Sequence, residues 1–126
     1  MPATQKKFEV TAPVKKKTIR KEMHARGVAV RAYFRSEQYD KAHDEGIRLL
    51  DYIEKFEPEY NIYCVHILMT ATYAMLDQME KARKHAAEIK RLKPSFSLDR
   101  YSKQMHSKSA AYKDRLISAL RQAGLE

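Results

Sequence analysis

The sequence predicts an all-α fold, on three observations. Tyr63–Pro94 reads as two antiparallel helices closed by a proline, the same pattern recurs upstream, and glycine and proline number only three and four in 126 residues. That length suits one domain with a modest core, not two independent ones.

In chain order, residues 1–17 hold two prolines, clustered lysines and scattered apolar residues without a sustained period. They read as a flexible basic arm or as a linker from a longer chain. Thr18 resembles a helix cap, and Thr18–Arg35 carries Ile19, Met23, Val30, Ala32, Tyr33 and Phe34 as its packing set. Ser36-Glu37-Gln38 turns the chain. Tyr39–Phe56 follows, with Ala42, Ile47, Leu49, Leu50, Ile53 and Phe56 inward; Gly46 costs helix propensity of about 1 kcal/mol and marks a close helix approach. Pro58 ends the unit.

The next helix, over Asn61–Leu76, leaves almost no polar face, so it is expected to be buried on several sides. Asp77-Gln78 is room only for a tight reversal. Met79, Ala82, Ala86, Ile89 and Leu92 then form one apolar stripe, with Glu80, Lys81, Lys84, Glu88 and Lys90 left to solvent. Pro94 has no amide proton to offer a helix and disfavours helical geometry at Lys93, so the helix stops there. Beyond it, Ser97 caps a helix from Leu98 to about Met105, and Ser107 or Ser109 caps another whose stripe is Tyr112, Leu116, Ile117 and Leu120; Gly124 closes it.

The recurrence appears when Ala42 is set on Ala82: Tyr33 then matches Tyr73, and the turn-plus-alanine pattern repeats at an offset of 40 residues. These residues resemble the tetratricopeptide repeat, a helix-turn-helix unit of 34 residues. Tyr63 is its first position, Met69 its first large apolar site, Tyr73 its aromatic site, Ala82 the small residue at the helix crossing, Leu92 a late apolar site and Pro94 the closing proline. His66, Thr70, Asp77 and Ala86 depart from the family's preferred residues. The offset exceeds 34 because the first unit's second helix is expected to run about two turns longer. The resemblance implies two units, about 18–58 and 61–94, followed by capping helices over 95–126. That tail, with SFSLDRY and LISALRQAGLE, is similar to the helical tail of tetratricopeptide-like repeats in bacterial proteins, some of which carry a class III nucleotide cyclase domain upstream. A bacterial, cytoplasmic, regulatory or scaffolding piece is what this likeness implies.

In such proteins the leading helices line a concave groove. The resemblance assigns His24, Gly27, Arg31, Phe34 and Arg35, then Cys64, Ile67, Ala71, Ala74 and Met75, to that face. Gly27 and Arg31 stand where chaperone-binding members place lysine and asparagine, so a carboxylate grip of that kind is not implied. The expected function is a protein-protein interaction module that takes a peptide or helix in the groove. The tail folds over part of it, and a homodimer is the other way to cover it.

Charge supplies the alternative. Residues 1–26 and 90–115 each carry net +6 and residues 27–89 net −3, giving +9 in all. The arm and the 90–115 segment, with Tyr101 and Tyr112 among its cations, would suit a nucleic acid, although no RNP motif, zinc finger or glycine-rich loop accompanies them. Catalysis has little to build on. The five histidines fall about 20 residues apart, Cys64 and His66 point different ways on a helix, and no phosphate loop or nucleophile motif is present. No enzyme, metal or cofactor is expected. No apolar run is long enough to cross a bilayer, no signal peptide is visible, and a single cysteine suits a reducing compartment.

Overall fold

The computed structural model describes residues 16–60, 62–106 and 109–126. They form six helices: α1 (Lys16–Arg35), α2 (Tyr39–Phe56), α3 (Tyr63–Met75), α4 (Met79–Leu92), α5 (Leu98–Gln104) and α6 (Ala110–Gln122). The fold is all-α, with no strand among the described residues. Among the described residues no helix is long and apolar enough to cross a membrane.

Helices α1–α2 and α3–α4 are two hairpins whose reversals have the same backbone. Glu37 and Asp77 both adopt left-handed φ, 62° and 60°. After α1, Glu37 N–H donates to Phe34 O (3.0 Å) and Gln38 N–H to Tyr33 O (2.8 Å). After α3, Asp77 N–H donates to Ala74 O (3.2 Å) and Gln78 N–H to Tyr73 O (2.9 Å). This is the paired closure that satisfies the last carbonyls of a helix, built at a position where glycine is normally favoured. A residue with a Cβ is strained there by about 1–2 kcal/mol. Glu37→Gly is therefore expected to stabilise the fold by about 0.5–1 kcal/mol after the added entropy of the unfolded chain. A thermal midpoint that stays put or falls would contradict this reading of the turn.

The second helices start alike: Ala42 N–H reaches Gln38 O and Ala82 N–H reaches Gln78 O, and both alanines are 0 % exposed. They end alike on Glu57 N–H to Ile53 O and Lys93 N–H to Ile89 O. Helix α2 has 18 residues against 14 in α4, so the excess is four residues, about one turn and not two. The rest of the offset lies in the connection to α3. Helix α1 already includes Lys16 and Lys17, so Thr18 lies inside it and is not its cap. Ala32 faces solvent. Residues 1–15, most of the expected arm, and Ser107 lie outside the described residues.

Helix α3 is the axis of the molecule. Val65 to Ala74 are all buried, and it packs against α1, α2, α4 and α6. Its two buried threonines are satisfied locally: Thr70 and Thr72 hydroxyls donate to His66 O and Leu68 O, each at 2.7 Å. Gly46 of α2 is where α3 comes closest, for a Cβ built there would collide with the Met69 sulfur.

The tail is part of the same core. Leu98, Leu116, Leu120 and Leu125 are at most 1 % exposed. Ser97 and Ser109 cap α5 and α6 by accepting from Arg100 N–H and Tyr112 N–H. Gly124, at φ 100°, closes α6, with Leu125 N–H on Leu120 O and Gly124 N–H on Arg121 O. Leu98 N–H then donates to Glu126 O at 2.7 Å and ties the last residue to the start of α5.

Candidate partner-binding groove

The leading helices α1 and α3 enclose a cavity of about 300 Å³. Its floor is Met23 from α1, Leu49 and Ile53 from α2, and Val65 and Leu68 from α3; its rim carries Arg20, His24 and Arg31 on the α1 side. Gly27 faces this open space: a Cβ at that position would meet nothing nearer than a Leu49 methyl at 4.0 Å. Cys64 is exposed at the α3 edge.

Of the residues that the resemblance assigned to the groove, His24, Gly27, Arg31 and Cys64 line this cavity. Phe34, Ile67 and Ala71 do not: they are 0, 2 and 0 % exposed. Their burial is the work of the tail together with the neighbouring helices. Tyr112 of α6 meets Phe34 edge-on at 6.1 Å, and Arg35 lies over the Tyr112 ring at 4.6 Å. Arg115 donates to Arg35 O at 3.0 Å, placing a cation on the carbonyl end of α1. Ala74 is buried and Met75 half-buried, so this end of the groove is closed. Tyr101 of α5 stands between the closed and open parts; burial first, then the nearby Tyr112 and Cys64, push its hydroxyl up to about 12 against the opposing pull of Arg31. The floor residues Leu49 and Ile53 were legible only as the inner face of α2, because the family pattern credits the groove to leading helices alone.

No family model, curated protein or solved structure matches the chain.

The histidines give a second cluster that linear spacing concealed. His66 and His85 come from facing helices of one hairpin, and their Nδ1 atoms are 2.8 Å apart. One ring must donate and the other accept, so at least one is neutral. Tyr73 stacks on His85 at 5.4 Å, and its hydroxyl lies 3.0 Å from His43 Nε2, while His43 Nδ1 lies 3.0 Å from Asp44. Among the described residues no group of three His, Cys, Asp or Glu converges to hold a metal.

Burial pushes His66 below its ordinary value; burial and then the His66 charge push His85 down to about 4, with Glu88 opposing in both cases. The folded state thus binds fewer protons than the unfolded chain between pH 6.5 and 4. Stability is complete above pH 6.5 and is lost as pH falls toward 4, by roughly 1–3 kcal/mol. His85→Gln is expected to flatten that loss in urea melts at pH 7.5, 5.5 and 4. An unchanged acid slope would contradict the assignment.

Proposed function

We propose that this chain is a non-catalytic, tetratricopeptide-like interaction module that binds a segment of a partner protein in the α1/α3 groove. One observation carries the reading. The chain's own tail seals the end of the groove around Phe34 and Tyr112, yet leaves an apolar-floored cavity open from Arg20 to Arg31. An apolar concavity beside helices, with a few polar groups at its edge, is the form peptide sites take. The repeated turns and the paired alanines at 42 and 82 support the repeat reading. A reducing, cytosolic setting is part of the proposal and rests on the single cysteine; a bacterial source rests on the likeness of the tail.

Nucleic acid is the weaker reading. Tyr112 is 4 % exposed beneath Arg35, and Tyr101 is largely covered, so neither offers a free ring face for base stacking.

Light scattering at low and high salt, with absorbance at 260 and 280 nm, tests the proposal. A monomer free of nucleic acid at both salt concentrations is expected. A dimer that survives high salt and disappears on filling the groove with Gly27→Met would assign the groove to a second copy. Nucleic acid that is shed by salt would instead favour the basic surface.

A further inference from the structure

The walls of the groove are electrostatically unequal. Helix α3 contributes no charged residue anywhere in Tyr63–Met75. On the α1 side Arg20, His24 and Arg31 face the opening, and no residue lining the cavity is acidic. Arg26, outside the cavity, is held by Glu22 and Glu45, and Arg20 donates from both Nε and Nη2 to Glu57 Oε1 at 3.4 Å, while its own side chain stays more than half exposed. Arg31 is exposed, and among the described residues no carboxylate lies within ion-pair distance of it.

Resting on the groove reading, we propose that the occupant is an acidic amphipathic segment, whose apolar side chains enter the floor and whose side-chain carboxylates face α1 at Arg31 and Arg20.

Three physical arguments converge on it. A one-sided cationic wall fixes which flank of the segment carries the acid, because carboxylates turned toward the uncharged α3 wall gain nothing for their lost hydration. Arg20 and Arg31 are eleven residues apart, about 16 Å along α1, which matches about three turns of an occupant helix. The other candidates carry the wrong sign or are already used. The N-terminal segment has Lys6, Lys7 and Lys15 against Glu9 alone, a second copy brings net +9, and the C-terminal helices are already packed in the core.

Carboxylates at an exposed rim act mainly through selectivity and association rate, and salt screens them. The test is a selection of random twelve-residue peptides displayed on phage against the full chain. Recovered sequences are then synthesised and measured by fluorescence anisotropy at 50 and 300 mM NaCl. Three proteins are compared: the wild type, Arg31→Glu, which alters an exposed residue, and Gly27→Met, which fills the groove without changing charge.

The expected result is a consensus of apolar residues with Asp or Glu. Its binding should fall about tenfold in Arg31→Glu, weaken severalfold at the higher salt, and vanish in Gly27→Met. Neutral or basic binders that Gly27→Met abolishes and Arg31→Glu leaves alone would overturn the acidic assignment while the groove stands. Acidic binders that Gly27→Met does not affect are attracted by net charge only; they, or the recovery of no binder, would overturn the proposal and the groove reading together.

Discussion

Leu120→Ala is expected to destabilise the protein by about 2–5 kcal/mol, the loss that goes with truncating a fully buried leucine. Leu120 is 0 % exposed and lies in the face of α6 that includes Leu116 and Ala119, each 1 % exposed. Helix α6 packs directly on α3, the most buried helix. A cavity at Leu120 therefore opens in the shared core and not beneath a detachable flap, and the surroundings relax only partly around it. A control at Ser118, exposed on the opposite face of α6, should move stability by no more than about 0.5 kcal/mol when changed to alanine. Should Leu120→Ala behave like that control in urea titration, the tail would be a loosely held lid, and the closed end of the groove would no longer be a fixed feature.

The second large effect is expected at Gly46. A leucine there must displace the Met69 side chain, which is 0 % exposed. Overpacking of this sort costs about 1–3 kcal/mol, more than the roughly 1 kcal/mol of helix propensity gained by removing glycine. Met69→Ala alone should cost about 2–5 kcal/mol through the void it leaves. Together the two changes restore volume, so the double variant should be more stable than the sum of the single losses by at least about 0.5 kcal/mol. Strict additivity would show that α2 and α3 do not meet at this point.

Much of this architecture was legible in the sequence because its signals are local. The absence of a polar face over Ile62–Leu76 announced a helix enclosed by neighbours, and Pro94, Ser97 and Gly124 marked ends that the backbone respects. Gly46 signalled a close approach before the partner, Met69, was known. The lengths of elements were less legible. Thr18 lies within α1 and not at its start, and the extra residues of the first unit divide between one turn of α2 and the connection after it.

The site was legible only in part, since it depends on what the tail covers. His24, Gly27, Arg31 and Cys64 line the cavity, but Phe34, Ile67 and Ala71, drawn from the same helices at the same kind of spacing, are buried. No periodicity within α1 or α3 distinguishes the two sets; at the α1 end the covering residues are Tyr112 and Arg115, some 80 residues downstream of Phe34 and Arg35, and α6 packs on α3 as a whole. The His66–His85 contact was hidden for a related reason. Nineteen residues separate the pair along the chain, and only the antiparallel register of α3 and α4 makes them neighbours.

The central claim is that the open part of the α1/α3 groove receives a partner segment, and the thiol of Cys64 reports on it most directly. It is the chain's single cysteine, exposed and at the edge of the cavity. Its rate of reaction with a small aromatic disulfide should be measured with and without a saturating peptide selected on the wild-type chain. Occupancy of the groove requires the peptide to slow the reaction severalfold, and to leave it unchanged in Gly27→Met. Full reactivity of Cys64 beneath a demonstrably bound peptide would contradict the account.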